Sequence, residues 1–228
     1  MATRKDFLAS GTLAALAPVV ATAAPASTLA PSPSGDELPP FEFNREAFDA
    51  IVRGDAKHRH SFASTKLANG TVLGAIQSTL NAYSGPLHES VASVATAAIL
   101  YHGASITLAF NDDAWNKYFI PSLAGAPKSV KDDVGTPVIG SGNPYLRADK
   151  SDDPTVPSLV AKGTTFFVCN NALSGFSHIA ASTLKRPVTS VYADLKGMLV
   201  KGAMLVPAGV WAVGALQEAG YTYLQTTL

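Results

Sequence analysis

From residue 41 onward, apolar and polar positions alternate between a helical and an extended rhythm. Residues 46–53 set Phe48, Ile51 and Val52 at helical spacing and predict a short helix. A first strand of mixed character is predicted over 58–66, a turn at Asn69-Gly70, and a helix over 70–83 with Val72, Leu73, Ile76 and Leu80 on one face. Residues 91–101 (VASVATAAILY) form a near-continuous apolar run ending at His102-Gly103, as expected of a strand buried on both faces of a parallel sheet. The stretch 104–118 turns helical in its later part, where Asn111, Asp112 and Asp113 act as helix caps rather than as an acid/base cluster. Order then returns at 158–162, followed by a strand at 164–168 (TTFFV) and a helix over 170–185 with Leu173, Phe176, Ala180 and Leu184 on one stripe. A helix over 188–199, a strand over 203–206, a strongly apolar helix over 207–219 and a last strand over 221–224 complete the series. Strands alternating with helices predict βαβ units, a mainly parallel sheet and helices on both of its faces. The segment 210–216, with Trp211, is apolar nearly all round and belongs in the core or in a subunit interface.

Two regions break this rhythm. Residues 121–157 hold six prolines and four glycines with little periodicity, as a lid, a binding loop or a disordered connection would. Residues 25–40 hold five prolines and almost no large apolar side chain; 27–40 therefore form a Pro-rich tether. Ahead of it, Arg4 and Lys5 precede Phe7 and Leu8, an Ala-rich stretch runs to Ala24, and small residues offer A-x-A cleavage sites. That composition, broken by Pro18, is too weakly hydrophobic for a stable membrane span. Residues 1–26 thus read as an export signal peptide, giving a periplasmic or secreted protein after cleavage. The run T-R-K-D-F-L resembles a bacterial twin-arginine signal with Lys5 in place of the second arginine; a general secretory signal is the alternative route.

Charge narrows the function classes. The 228 residues carry 17 Lys+Arg against 17 Asp+Glu, and removing Arg4, Lys5 and Asp6 with the signal leaves 15 basic and 16 acidic side chains. A neutral chain lacks the basic surface that nucleic-acid binding requires. One cysteine excludes an internal disulfide framework and any CxxC site. Gly140-Ser141-Gly142-Asn143 does not complete a phosphate-binding motif, and no G-x-S-x-G elbow is present. No cofactor or metal is assigned.

Cys169 is the sharpest feature. It sits where the TTFFV strand gives way to the 170–185 helix, at the sheet edge where open α/β proteins bind ligands. Unpaired amides at a helix N-terminus favour the thiolate, the form that attacks or carries sulfur, and here they belong to the turn opened by Asn170 and Asn171. The alternative is a small buried hydrophobe. His102, at the end of the apolar strand, is placed for general acid/base work. His58 and His60 share a strand face, but no metal-binding spacing joins them to His88 or His178.

Three motifs carry a family resemblance: Val168-Cys169-Asn170-Asn171-Ala172-Leu173, Leu205-Val206-Pro207-Ala208-Gly209-Val210 and Gln217-Glu218-Ala219-Gly220-Tyr221. Together with Tyr101-His102-Gly103, Asn111-Asp112 and Trp115 to Tyr118, they make residues 58–225 resemble the DsrE/DsrF-like family. That resemblance implies a three-layer α/β/α sandwich around a mainly parallel five-stranded sheet, and assembly into a homo-oligomer, a trimer or hexamer. It also implies a sulfurtransferase-like sulfur carrier in which Cys169 bears a persulfide received from a thiol or sulfur-donor protein. A non-catalytic oligomeric periplasmic protein binding a small ligand or metal is the other expectation. The family's sulfur-relay members work in the cytoplasm, from which this chain's signal would remove it.

Overall fold

The computed structural model describes residues 37–124, 141–148, 150 and 152–227. Helix α1 (Arg45–Val52) leads into strand β1 (His58–Ser64), helix α2 (Thr71–Ser84) and strand β2 (Val94–Leu100). A 3-10 turn (Ser105–Ala109) precedes α3 (Asp112–Ala114), which runs through a π-helical turn (Trp115–Phe119) into α4 (Ile120–Ala124). After α5 (Val156–Ala161) come β3 (Thr164–Cys169), α6 (Asn170–Leu184) and α7 (Val188–Lys196). Strand β4 (Ala203–Val206), α8 (Gly209–Glu218) and β5 (Thr222–Gln225) close the chain.

All five strands are parallel, in the order β4-β3-β2-β1-β5. The three crossovers from β1 to β4 step in one direction, and the last, through α8, returns across the sheet to pair β5 with β1. Crossovers of one hand therefore put α2, α6 and α7 on one face and α8 on the other. The result is a three-layer α/β/α sandwich. Its larger core joins Phe62, Phe166 and Val168 of the sheet to Leu73, Ile76, Trp115, Phe119, Leu173 and Val191. Its smaller core sets Ala63, Ile99 and Phe167 against Phe48, Ala212 and Leu216. The apolar run of β2 is buried on both faces because adjacent residues serve different cores: Ala98 and Leu100 the first, Ala97 and Ile99 the second.

Two readings are refined. Of the two places open to 210–216, Trp211 packs partly buried against the smaller core: its ring lies 5.0 Å from Phe48 and 5.1 Å from Phe43, with the Arg45 guanidinium over it. Within 121–157, residues 125–140, 149 and 151 lie outside the described residues, but part of the remainder is regular. Helix α4 includes Pro121, and α5 starts at Val156 under a capping box formed by Thr155 and Ser158. Between them, the fully buried Asn143 donates from Nδ2 to the carbonyls of Phe110 (2.6 Å) and Leu108 (3.1 Å) and accepts from the Tyr145 amide (2.9 Å). The glycine-rich Gly142-Asn143 step is thus an anchor that ties this segment to the end of the 3-10 turn.

Candidate functional site

The crossover leaving β3 passes to one face of the sheet and the crossover leaving β4 to the other. Adjacent strands whose connections diverge leave a crevice beyond their carboxyl ends. Here that crevice is a cavity of about 660 Å³, walled by the ends of β2, β3 and β4, by α4 and by the first turns of α6 and α8.

Cys169 stands in its wall, paired in register with Val206 of β4. The thiol is 4% exposed and serves as the N-cap of α6, its Sγ accepting the Ala172 N–H at 3.4 Å. Sulfur is an uncommon cap. Serine or asparagine would satisfy the same amide with a stronger acceptor, so cysteine at this position places a nucleophile where only a hydrogen-bond acceptor is needed. The amide that meets the sulfur belongs to Ala172 rather than to Asn170 or Asn171. Asn171 lines the cavity, whereas Asn170 is turned away: it is buried, and its Oδ1 accepts the Tyr192 hydroxyl of α7 at 2.6 Å. The Asn170 side chain therefore docks α7 on α6. Burial raises the Tyr192 phenol above its ordinary range, which keeps that donor protonated.

His102 lies in the same cavity wall as Cys169, one residue beyond Tyr101. Its backbone is fixed by Ser105, whose Oγ accepts the His102 amide (3.2 Å) and donates to the His102 carbonyl (2.9 Å). Gly209 brings the start of α8 to the site: a Cβ there would fall 1.7 Å from the Tyr101 Cβ, so only glycine lets the helix approach β2 this closely. Ser122 of α4 also belongs to the wall. It is 1% exposed, and among the described residues its Oγ has no hydrogen-bond partner. Ser122 did not stand out in the sequence, and Gly209 did so only as part of a motif, because its close approach is to Tyr101, far away in the chain.

The other histidines lie elsewhere. His58 and His60 do share a face of β1, both rings stacking on Tyr83 at 4.5 and 5.5 Å, but at the opposite end of the strand from the cavity. His58 pairs with Glu89 (2.9 Å). His60 contacts the Thr222 hydroxyl through Nδ1 (2.7 Å) and Tyr83 OH through Nε2 (2.8 Å). Since the Thr222 hydroxyl donates to the Arg59 carbonyl (3.2 Å), Nδ1 of His60 donates to it; in the neutral imidazole Nε2 then accepts from Tyr83. Burial, then the nearby His58, lowers its pKa. His88 and His178 are separate surface residues. Among the described residues, no three His, Cys, Asp or Glu side chains converge as a metal-binding set. Asn111 caps α3 as expected, accepting the Ala114 amide at 3.0 Å. Asp112 accepts the Asn143 amide and pairs with Arg147, which holds its carboxyl below the usual range.

Fold and site together define an open parallel α/β protein with a buried thiol at its topological switch point. No family model matches the chain, and no curated protein matches it. Among solved structures it is similar to a protein of unknown function, MTH1491 from Methanobacterium thermoautotrophicum, at 16% identity and a TM-score of 0.40, over 74% of this chain and 99% of that one. Among the described residues, no helix is long and apolar enough to cross a membrane.

Proposed function

We propose that the protein is an exported, DsrE-like sulfur carrier that holds sulfane sulfur on Cys169 as a persulfide. The observation that carries this reading is the placement of Cys169: a thiol used as a helix N-cap, with the Ala172 amide on its sulfur, in a cavity it shares with His102. A persulfide anion at that place would gain the amide donor and the positive end of α6. In the transfer, the thiolate attacks the outer sulfur of a persulfide donor R–S–SH. The donor's S–S bond breaks, Cys169–S–SH forms, and R–S⁻ leaves with the electron pair. Loading is tested by intact-mass measurement after exposure to glutathione persulfide. The expected result is a gain of one sulfur atom in the wild type, reversed by a thiol, and no gain in Cys169→Ser.

The second reading, a non-catalytic oligomeric binding protein, draws on the burial of Cys169. It predicts that folded protein gains no sulfur. Self-association into a trimer or hexamer fits the β5 edge, where Tyr223 and Leu224 stand exposed on a strand with one open side. Export rests on T-R-K-D-F-L and the A-x-A sites: mature protein should begin between Ala24 and Ser27, and replacing Arg4 and Lys5 together should block twin-arginine transport.

A further inference from the structure

The cavity beside Cys169 has walls that a sulfur site alone does not require. They are formed chiefly by Tyr101, Ala104, Leu123, Ala172, Phe176 and Val210, and among the described residues no Lys, Arg, Asp or Glu lines it. An anionic donor would lose its hydration there with no cation to pair with. The volume, about 660 Å³, falls in the range of small-molecule sites. Gly175 adds an independent sign. It lies in the middle of α6, where glycine weakens a helix, yet a Cβ there would meet no heavy atom within 4 Å and its φ is not left-handed. Neither packing nor backbone conformation calls for glycine; what the missing side chain does is leave the cavity open. Ile179 and Val210 line the same cavity at 47% and 68% exposure, so apolar surface stays in water in the empty molecule. Cys169 is 4% exposed and lines this cavity, so a small molecule seated there lies beside it.

We propose that this cavity binds a neutral, apolar small molecule. On the sulfur-carrier reading, which this extension rests on, the donor is an organic persulfide with an apolar substituent, R seated against Leu123, Phe176 and Val210. The atoms and electrons balance as above, the departing R–S⁻ taking its proton from water.

Binding is tested with the neutral fluorophore N-phenyl-1-naphthylamine. Wild type should bind it. Gly175→Leu, which puts a side chain into the cavity, and Val210→Asp, at an exposed position in its wall, should each weaken binding about tenfold or more without lowering the unfolding midpoint. No binding to wild type, or binding unchanged in both variants, would overturn the proposal. So would a Val210→Asp protein that dissociates from an oligomer yet binds the probe normally, since that wall would then belong to a second copy. For the donor, octyl persulfide should load Cys169 about tenfold faster than glutathione persulfide, and Gly175→Leu should remove the preference. Equal rates contradict the apolar donor. Probe binding without loading from either donor leaves the cavity assignment standing and defeats the sulfur-carrier reading; loading without probe binding does the reverse.

Discussion

At the scale of single residues, unpaired and half-buried polar groups set the most direct expectations. The Ser122 hydroxyl is buried and has no partner among the described residues, so its desolvation is not offset by a hydrogen bond from them. Ser122→Ala should therefore stabilise the empty protein, by about 1 kcal/mol in a urea titration. A loss of stability would show that the hydroxyl is satisfied in solution. For His60, the lowered pKa means that the folded state binds a proton less readily than the unfolded chain. Its contribution is complete above the unfolded histidine value of 6.5 and is lost as pH falls through the lower folded value. Urea midpoints measured on either side of that window should fall on acidification, and His60→Gln should flatten the change. An unchanged slope would show that His60 does not carry the pH sensitivity in this window.

At the scale of elements, most helices and strands were legible because their apolar spacing is regular, as in α2, β2 and α6. The 3-10 turn at Ser105–Ala109 was not. Its conformation depends on Ser105 and Thr107 hydroxyls donating to the carbonyls of His102 and Ala104, bonds that leave no periodic trace. Cys169 was legible as a site residue because a strand-to-helix boundary can be read from one short window. The cavity around it was not, since its walls come from four separated stretches, at 101–104, 122–123, 169–179 and 208–210. The docking role of the Asn170 side chain was not legible either, because its partner, Tyr192, lies on the following helix. The choice between core and interface left open for Trp211 was not legible either, because its partners Phe43 and Phe48 come from the far end of the chain. Two element joints can be tested. Asn143→Ala removes donors to two backbone carbonyls and should cost about 3 kcal/mol in chemical unfolding. Gly209→Ala forces α8 away from Tyr101 and should cost roughly 3 kcal/mol while opening the Cys169 site. A neutral result at Gly209 would show that the helix start can shift without loss.

For the whole molecule, strand order determines where chemistry can occur. Three crossovers in one direction and one in return divide the chain's connections between the two faces of the sheet, and the crevice falls beyond β3 and β4, beside Cys169. The lone thiol, the amide on its sulfur, the cavity and His102 all meet at that edge, while the His58–His60–Tyr83 cluster secures β1 to α2 and β5 at the other end. The central claim is that Cys169 reacts in the folded protein although it is nearly enclosed. The direct measurement is the labelling rate of Cys169 by N-ethylmaleimide, a small neutral reagent, in native and in urea-unfolded protein. The account predicts that native protein is labelled without unfolding, at a rate that Gly175→Leu sharply reduces. Labelling seen only in urea, and unaffected by Gly175→Leu, would make Cys169 a buried structural thiol and contradict the account.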